Sequence, residues 1–160
     1  MPTFDISSEF NKQEVTNAVD QCHREISNRY DFRDTKTSIS LMENSILLKS
    51  STLDRMLAAE QVLKEKFVKR SVSIKFLGEV KDETLPSEVK RTYNLKSGID
   101  QSTSKEIITL LKKSNKKIQC SYQNETIRVT SKKRDDLQEA ITLIKESDIE
   151  TPLNFGNFRD

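Results

Sequence analysis

Along the chain, apolar residues alternate with polar ones at Phe4 and Ile6, at Ile39 and Leu41, at Ile46 and Leu48, and at Val72, Ile74 and Phe76. A period of two sends successive side chains to opposite faces, so each run predicts a short strand with one wet side. Between these runs the period lengthens. Val15, Ala18, Val19, Cys22 and Ile26, and then Leu53, Met56, Leu63 and Phe67, fall on one stripe of a helix. The first half therefore reads βαββαβ. Asn11 with Glu14 three residues on, and Ser51 with Asp54, have the form of capping boxes, in which a short side chain satisfies free first-turn amides.

Gly78 to Glu88 carries a Gly, a Pro and mostly acidic or polar residues without periodicity, which predicts a surface linker. The same grammar returns beyond it. Tyr93 and Leu95 alternate, Ile107, Ile108 and Leu111 form a helical stripe, and Ile118, Cys120 and Tyr122 alternate, followed by Ile127 and Val129. Leu137, Ala140, Ile141 and Ile144 make a fourth helix, and Leu153 with Phe155 a last strand. The segment from Ile46, ILLKSSTLDRMLAAEQVL, aligns with IRVTSKKRDDLQEAITLI from Ile127, which points to internal duplication. The expected fold is α+β: two tandem ferredoxin-like βαββαβ sandwiches, each an antiparallel sheet with both helices on one face. The expected domains are 1–77 and 89–160, joined by the linker 78–88.

Composition narrows the function classes. Of 160 residues 34% are hydrophobic and 32% charged, and 27 Lys plus Arg against 25 Asp plus Glu leave only +2, too little to mark a polyanion binder by itself. Between Val89 and Arg134, however, twelve basic residues meet three acidic ones, a local surplus of +9. No apolar run approaches the ~20 residues of a membrane helix, and the first residues lack a basic-then-apolar signal, so a cytoplasmic protein without membrane contact is expected. Cys22 and Cys120 lie far apart, with neither disulfide nor zinc spacing.

With the apolar positions turned toward the helices, the open sheet faces present Thr3, Asp5, Ser7, Ser38, Ser40, Leu47, Lys49, Ser73 and Lys75 in the first half. Lys90, Thr92, Asn94, Lys96, Lys117, Gln119, Ser121, Arg128 and Thr130 follow in the second. Hydroxyls, amides and cations together suit phosphate contacts, whereas the outward-facing aromatics of an RNA-recognition sheet are missing. Lys132, Lys133 and Arg134 stand at the start of the fourth helix, where cations oppose the helix dipole and a bound phosphate would relieve them. A solvated turn capped by Asp135 and Asp136 is the competing account. Lys112, Lys113, Lys116 and Lys117 fall at a helix C-terminus, which favours cations for any function. No catalytic motif is present; His23, the sole histidine, flanks the first helix, and its neighbour Cys22 diverges from it by ~100° around the axis. No catalytic residue, metal site or cofactor is expected.

The strings MPTFDISSE, YDFR at Tyr30 to Arg33, NLKSGI at Asn94 to Ile99, TSKKRDDLQ at Thr130 to Gln138 and the closing NFRD together resemble the YajQ family of bacterial nucleotide-binding proteins over essentially the whole chain. The resemblance implies two tandem ferredoxin-like domains with exchanged N-terminal strands, the strand at 3–7 completing the second sheet and that at 90–96 the first. It also implies a non-enzymatic protein whose partner is a nucleotide or nucleic acid, RNA and tRNA included. The alternative it carries is a protein-interaction adaptor, a cyclic di-GMP effector docking on a transcription regulator. The matched strings nominate Arg33, Lys96, Lys132, Arg134 and Arg159 for phosphate contacts, and Lys133 joins them from the basic turn before the fourth helix. For Arg33 and Arg159, beside Asp31, Asp34 and Asp160, ion pairing is the competing role.

Overall fold

The computed structural model describes residues 1–160, which divide into two compact units: a continuous one, residues 10–96, and a composite one made of residues 1–9 and 97–160. The continuous unit runs α1 (Lys12–Asn28), β2 (Ser38–Leu41), β3 (Ser45–Ser50), α2 (Leu53–Lys69), β4 (Val80–Leu85) and β5 (Glu88–Asn94). Its antiparallel sheet has the order β2-β3-β5-β4. The composite unit takes β1 (Thr3–Ser7), then α3 (Gln101–Ser114), β6 (Gln119–Gln123), β7 (Thr126–Thr130), α4 (Arg134–Lys145) and β8 (Asn154–Arg159), in the order β6-β7-β1-β8. Both orders are those of the ferredoxin-like split βαβ, in which the first strand lies between the third and the fourth. In the composite unit β1 fills that central place; in the continuous unit β5 fills it.

Each unit has its own core. Ile39, Ile46, Leu48 and Tyr93 from one sheet meet Val15, Ala18, Cys22, Met56, Leu63 and Phe67 from α1 and α2. Phe4, Ile6, Ile127 and Val129 meet Ile107, Leu111, Leu137 and Ile144 from α3 and α4. Burial of one such side chain contributes about 1.5–3 kcal/mol, and the period-2 and period-3.6 stripes collect these residues on facing surfaces.

Three sequence expectations are corrected. Val72, Ile74 and Phe76 do not form a strand: Ile74–Leu77 is a 3-10 turn that buries Val72, Phe76 and Leu77 and exposes Ile74, with the Ser73 hydroxyl accepting from the Lys75 amide. The segment 78–88 is not a linker, because Val80–Leu85 is edge strand β4, paired in register from Val80–Tyr93 to Leu85–Glu88. It is exposed and reads VKDETL, so it lacks apolar alternation, and charged edges of this kind discourage further strand addition. The cap of α2 is Thr52, whose hydroxyl accepts from the Arg55 amide at 3.3 Å, not Ser51. Asn11 does cap α1, accepting from the Glu14 amide at 3.2 Å.

The chain enters the second half through Gly98, at φ +91°. Its amide donates to Ser8 O at 2.5 Å, and the positive φ favours glycine there, whereas the Glu125 carboxylate that a Cβ would meet ends a flexible, exposed side chain.

Candidate functional site

In the composite unit, β7 ends at Thr130 and Lys133 takes the N-cap position of α4 without any side-chain cap hydrogen bond. The internal repeat makes this conspicuous. In the alignment of Ile46 with Ile127, Lys133 stands where Thr52 caps α2. One turn therefore keeps a hydroxyl on its first amides and the other places a cation there, which a helix N-terminus disfavours unless an anion joins it. The first turn carries two carboxylates of its own, Asp135 and Asp136, of which Asp136 accepts from the buried Ser131 hydroxyl at 2.8 Å.

Beside this turn lies a cavity of about 240 Å³, lined by Pro2, Thr3, Arg134, Leu137, Gln138, Phe158, Arg159 and Asp160. Phe158, in its lining, is stacked on Phe4 with ring centroids 5.8 Å apart. Arg134 donates through Nε to Asp160 at 2.8 Å and closes a second bond through Nη2. That pairing raises the guanidinium pKa and lowers that of the carboxyl. Both partners are more than two-thirds exposed, so solvent screens the pair and a phosphate can compete for Arg134. Arg159 bonds only the Asn157 side-chain oxygen, at 3.3 Å, and Lys132 and Lys133 are exposed without an ion pair.

The six nominated residues thus do not form one cluster within a unit. Lys132, Lys133, Arg134 and Arg159 gather at the start of α4, whereas Arg33 and Lys96 belong to the continuous unit. Lys96 is paired with Glu79 at 3.0 Å, and the Arg33 guanidinium stands 6.0 Å from the Tyr30 ring. The +9 segment is divided as well. Once β5 leaves it and the C-terminal acids join, the composite unit has eleven Lys or Arg against twelve Asp or Glu, a net −1. The continuous unit has sixteen against thirteen, a net +3. The cationic cluster at α4 is therefore local and does not belong to a basic domain.

Two charge constellations escape notice in the sequence because their members are brought together by strand register. In the continuous unit Arg91 donates to Asp82 at 2.7 and 2.9 Å and to Glu60 at 2.8 Å, and the Tyr93 hydroxyl also donates to Glu60. These residues occupy the helix-facing side, Glu60 coming from α2. Burial opposes the Glu60 charge, yet the Tyr93 and Arg91 hydrogen bonds prevail and its pKa is lowered. The bond from Arg91 lowers that of Asp82. This cluster ties β4 and β5 to α2.

The second constellation lies on the open face of the composite sheet. Arg128 on β7 is in register with Asp5 on β1 and donates to it through Nε at 3.0 Å. The Asn157 amide on β8 donates to the other Asp5 oxygen at 2.8 Å. The Arg128 bond holds the Asp5 carboxyl below its usual pKa. A depression of about 250 Å³ opens here, lined by Asp5, Ser121, Gln123, Asn124, Thr126 and Arg128. Alternation put both Asp5 and Arg128 on the outward face, but 123 residues separate them and only the register pairs them.

No three His, Cys, Asp or Glu residues converge as metal ligands, and no helix is long and apolar enough to cross a membrane. The Cys22 thiol is pushed up to about 12 by burial, so it is not a thiolate nucleophile.

The profile of a family described as nucleotide-binding protein YajQ-like matches residues 2–159. Among curated proteins, one from Hahella chejuensis is 42% identical over the full length of both chains. One from Coxiella burnetii is 43% identical and one from Nitrosococcus oceani 38%, each also over the full length of both chains. All three bear the name nucleotide-binding protein.

Proposed function

The chain belongs to the YajQ-like nucleotide-binding family, and from that premise we propose that it is a cytoplasmic, non-enzymatic protein that binds a nucleotide or RNA by its phosphates at the start of α4. The observation that carries this reading is the replacement of a helix cap by a cation. Lys133 stands where the repeat has Thr52, next to Lys132, which has no carboxylate partner, and beside a cavity into which Arg134 and Arg159 bring two more cations. First-turn amides, the dipole and these side chains supply directional donors and charge together, which is what a phosphate requires. The reading calls for no chemistry: the cations and first-turn amides bind and orient a phosphate. Lys96 and Arg33 are outside this proposal, since they belong to the other unit.

The test is binding of fluorescent single-stranded RNA and of mononucleotides by wild type and by Lys132→Ala/Lys133→Ala/Arg134→Ala across a salt series. The triple variant should bind more weakly, with the log–log salt slope shallower by about 0.7 for each single-strand phosphate that the shortened side chains no longer neutralise. Unchanged affinity and slope would overturn the assignment. Nucleotides incubated with the protein and Mg²⁺ or Mn²⁺ should be recovered intact.

A further inference from the structure

Arg128, Asp5 and Asn157 form one row across the central and edge strands of the composite sheet, and several features mark it as more than a solvated ion pair. The row is built by a bulge. Between the β1 residues Thr3 and Asp5 the partner strand advances from Arg159 to Gly156, one residue more than regular pairing needs, and Asn157 takes φ 54°. Such bulges re-aim side chains, and here the Asn157 amide is brought onto Asp5, fixing the carboxylate that in turn fixes Arg128. Second, the clamp leaves much of Arg128 available. Its side chain is 53% exposed, and N–H groups beyond those facing Asp5 have no protein partner. Third, the pair is confined to one repeat: Leu47 aligns with Arg128, and its register partner is Thr92, so the fold does not need an arginine there.

We propose that this row is the nucleobase subsite of the same ligand, a purine base resting on or edge-bonded to the fixed guanidinium of Arg128, with Ser121, Gln123 and Asn124 around it. A planar guanidinium held in place does what an aromatic ring does on other base-binding sheets, offering a stacking plane and, in addition, donors for acceptors on the purine edge such as N7. The lining supplies hydroxyl and amide groups that both donate and accept, as a base edge requires, and the Asp5 carboxylate among them repels a second phosphate. Thr3, which lines the α4 cavity, and Asp5, in the depression, are two residues apart along β1, about 6–7 Å, a separation within the reach of one mononucleotide. This inference rests on the phosphate reading above.

The test compares AMP and GMP with ribose 5-phosphate, which keeps the phosphate and lacks the base, by calorimetric or NMR titration of the whole protein. Arg128→Gln and Arg128→Lys should each weaken both mononucleotides about tenfold and change ribose 5-phosphate less than about twofold. Asn157→Gly, which keeps the backbone conformation but removes the clamp, should lower mononucleotide affinity by a smaller factor. Arg128→Lys retains a cation opposite Asp5 and carries the test if Arg128→Gln does not fold. Equal losses on all three probes, or none, would overturn the base subsite and leave the phosphate site standing. Wild type that binds none of the probes would overturn both. Lys132→Ala/Lys133→Ala, weakening all three probes alike, separates the two sites.

Discussion

Arg91 and Arg128 are each gripped by carboxylates, yet their surroundings give them opposite roles. Arg91 has a side chain only 17% exposed and uses its donors on Asp82 and Glu60, so its worth is in the fold. Arg91→Ala strands a Glu60 carboxylate that is 15% exposed and should lower the free energy of urea unfolding by about 2–4 kcal/mol. Tyr93→Phe keeps the buried ring, removes one donor to that charge and should cost about 1.5–3 kcal/mol. Since Glu60 and Asp82 have depressed pKa values in the folded state, their stabilisation is complete above the unfolded carboxylate range of about 4 and is lost as pH falls through the folded values. Stability measured from about pH 6 downward should therefore decline on the acid side, and the decline should be shallower in Arg91→Leu. None of these partnerships is legible in the sequence: Asp82 lies in a segment that reads as a linker, and alternation cannot tell which residues of separate segments face each other.

Among the elements, the helices are the most legible and the edge strand the least. A helix must bury a stripe that recurs every three to four residues, and all four stripes mark real helices. Strand β4 buries almost nothing, so it leaves no apolar trace, while the turn at Ile74–Leu77 borrows a strand-like spacing from residues that pack at its two ends. The comparison of α2 with α4 yields a prediction of its own. Lys133→Thr restores the cap found at Thr52 and should raise stability by about 1 kcal/mol in thermal or urea unfolding while weakening phosphate binding. A variant both less stable and unaltered in binding would show that the lysine serves the helix and not a ligand. The cation cluster itself is visible in the sequence, because three consecutive basic residues ahead of a helical stripe need no tertiary information; the cavity beside them, with Phe158, Arg159 and Asp160, does.

For the molecule as a whole, the exchange of strands governs what each half can do alone. Residues 10–96 hold every strand of their sheet, whereas residues 97–160 lack β1, the strand between β7 and β8. A fragment of residues 10–96 should fold cooperatively by circular dichroism. A fragment of residues 97–160 should remain unfolded until a peptide of residues 1–9 is added, because an open gap exposes the ladder groups of β7 and β8 and uncovers the core positions that Phe4 and Ile6 fill. The sequence alone determined the α+β class, the two repeats, the inward registers of Phe4, Ile46, Tyr93 and Ile127, and the basic turn before α4, since each depends on local period or on neighbours along the chain. The exchange of strands between the sheets was implied by the family resemblance and not by local period, and only the tertiary structure decided how the charges divide between the units and that Asn157, Asp5 and Arg128 meet. Those outcomes depend on pairing between segments far apart in sequence, and hydrogen bonding in a ladder accepts almost any residue, leaving no mark in either partner until the two are side by side.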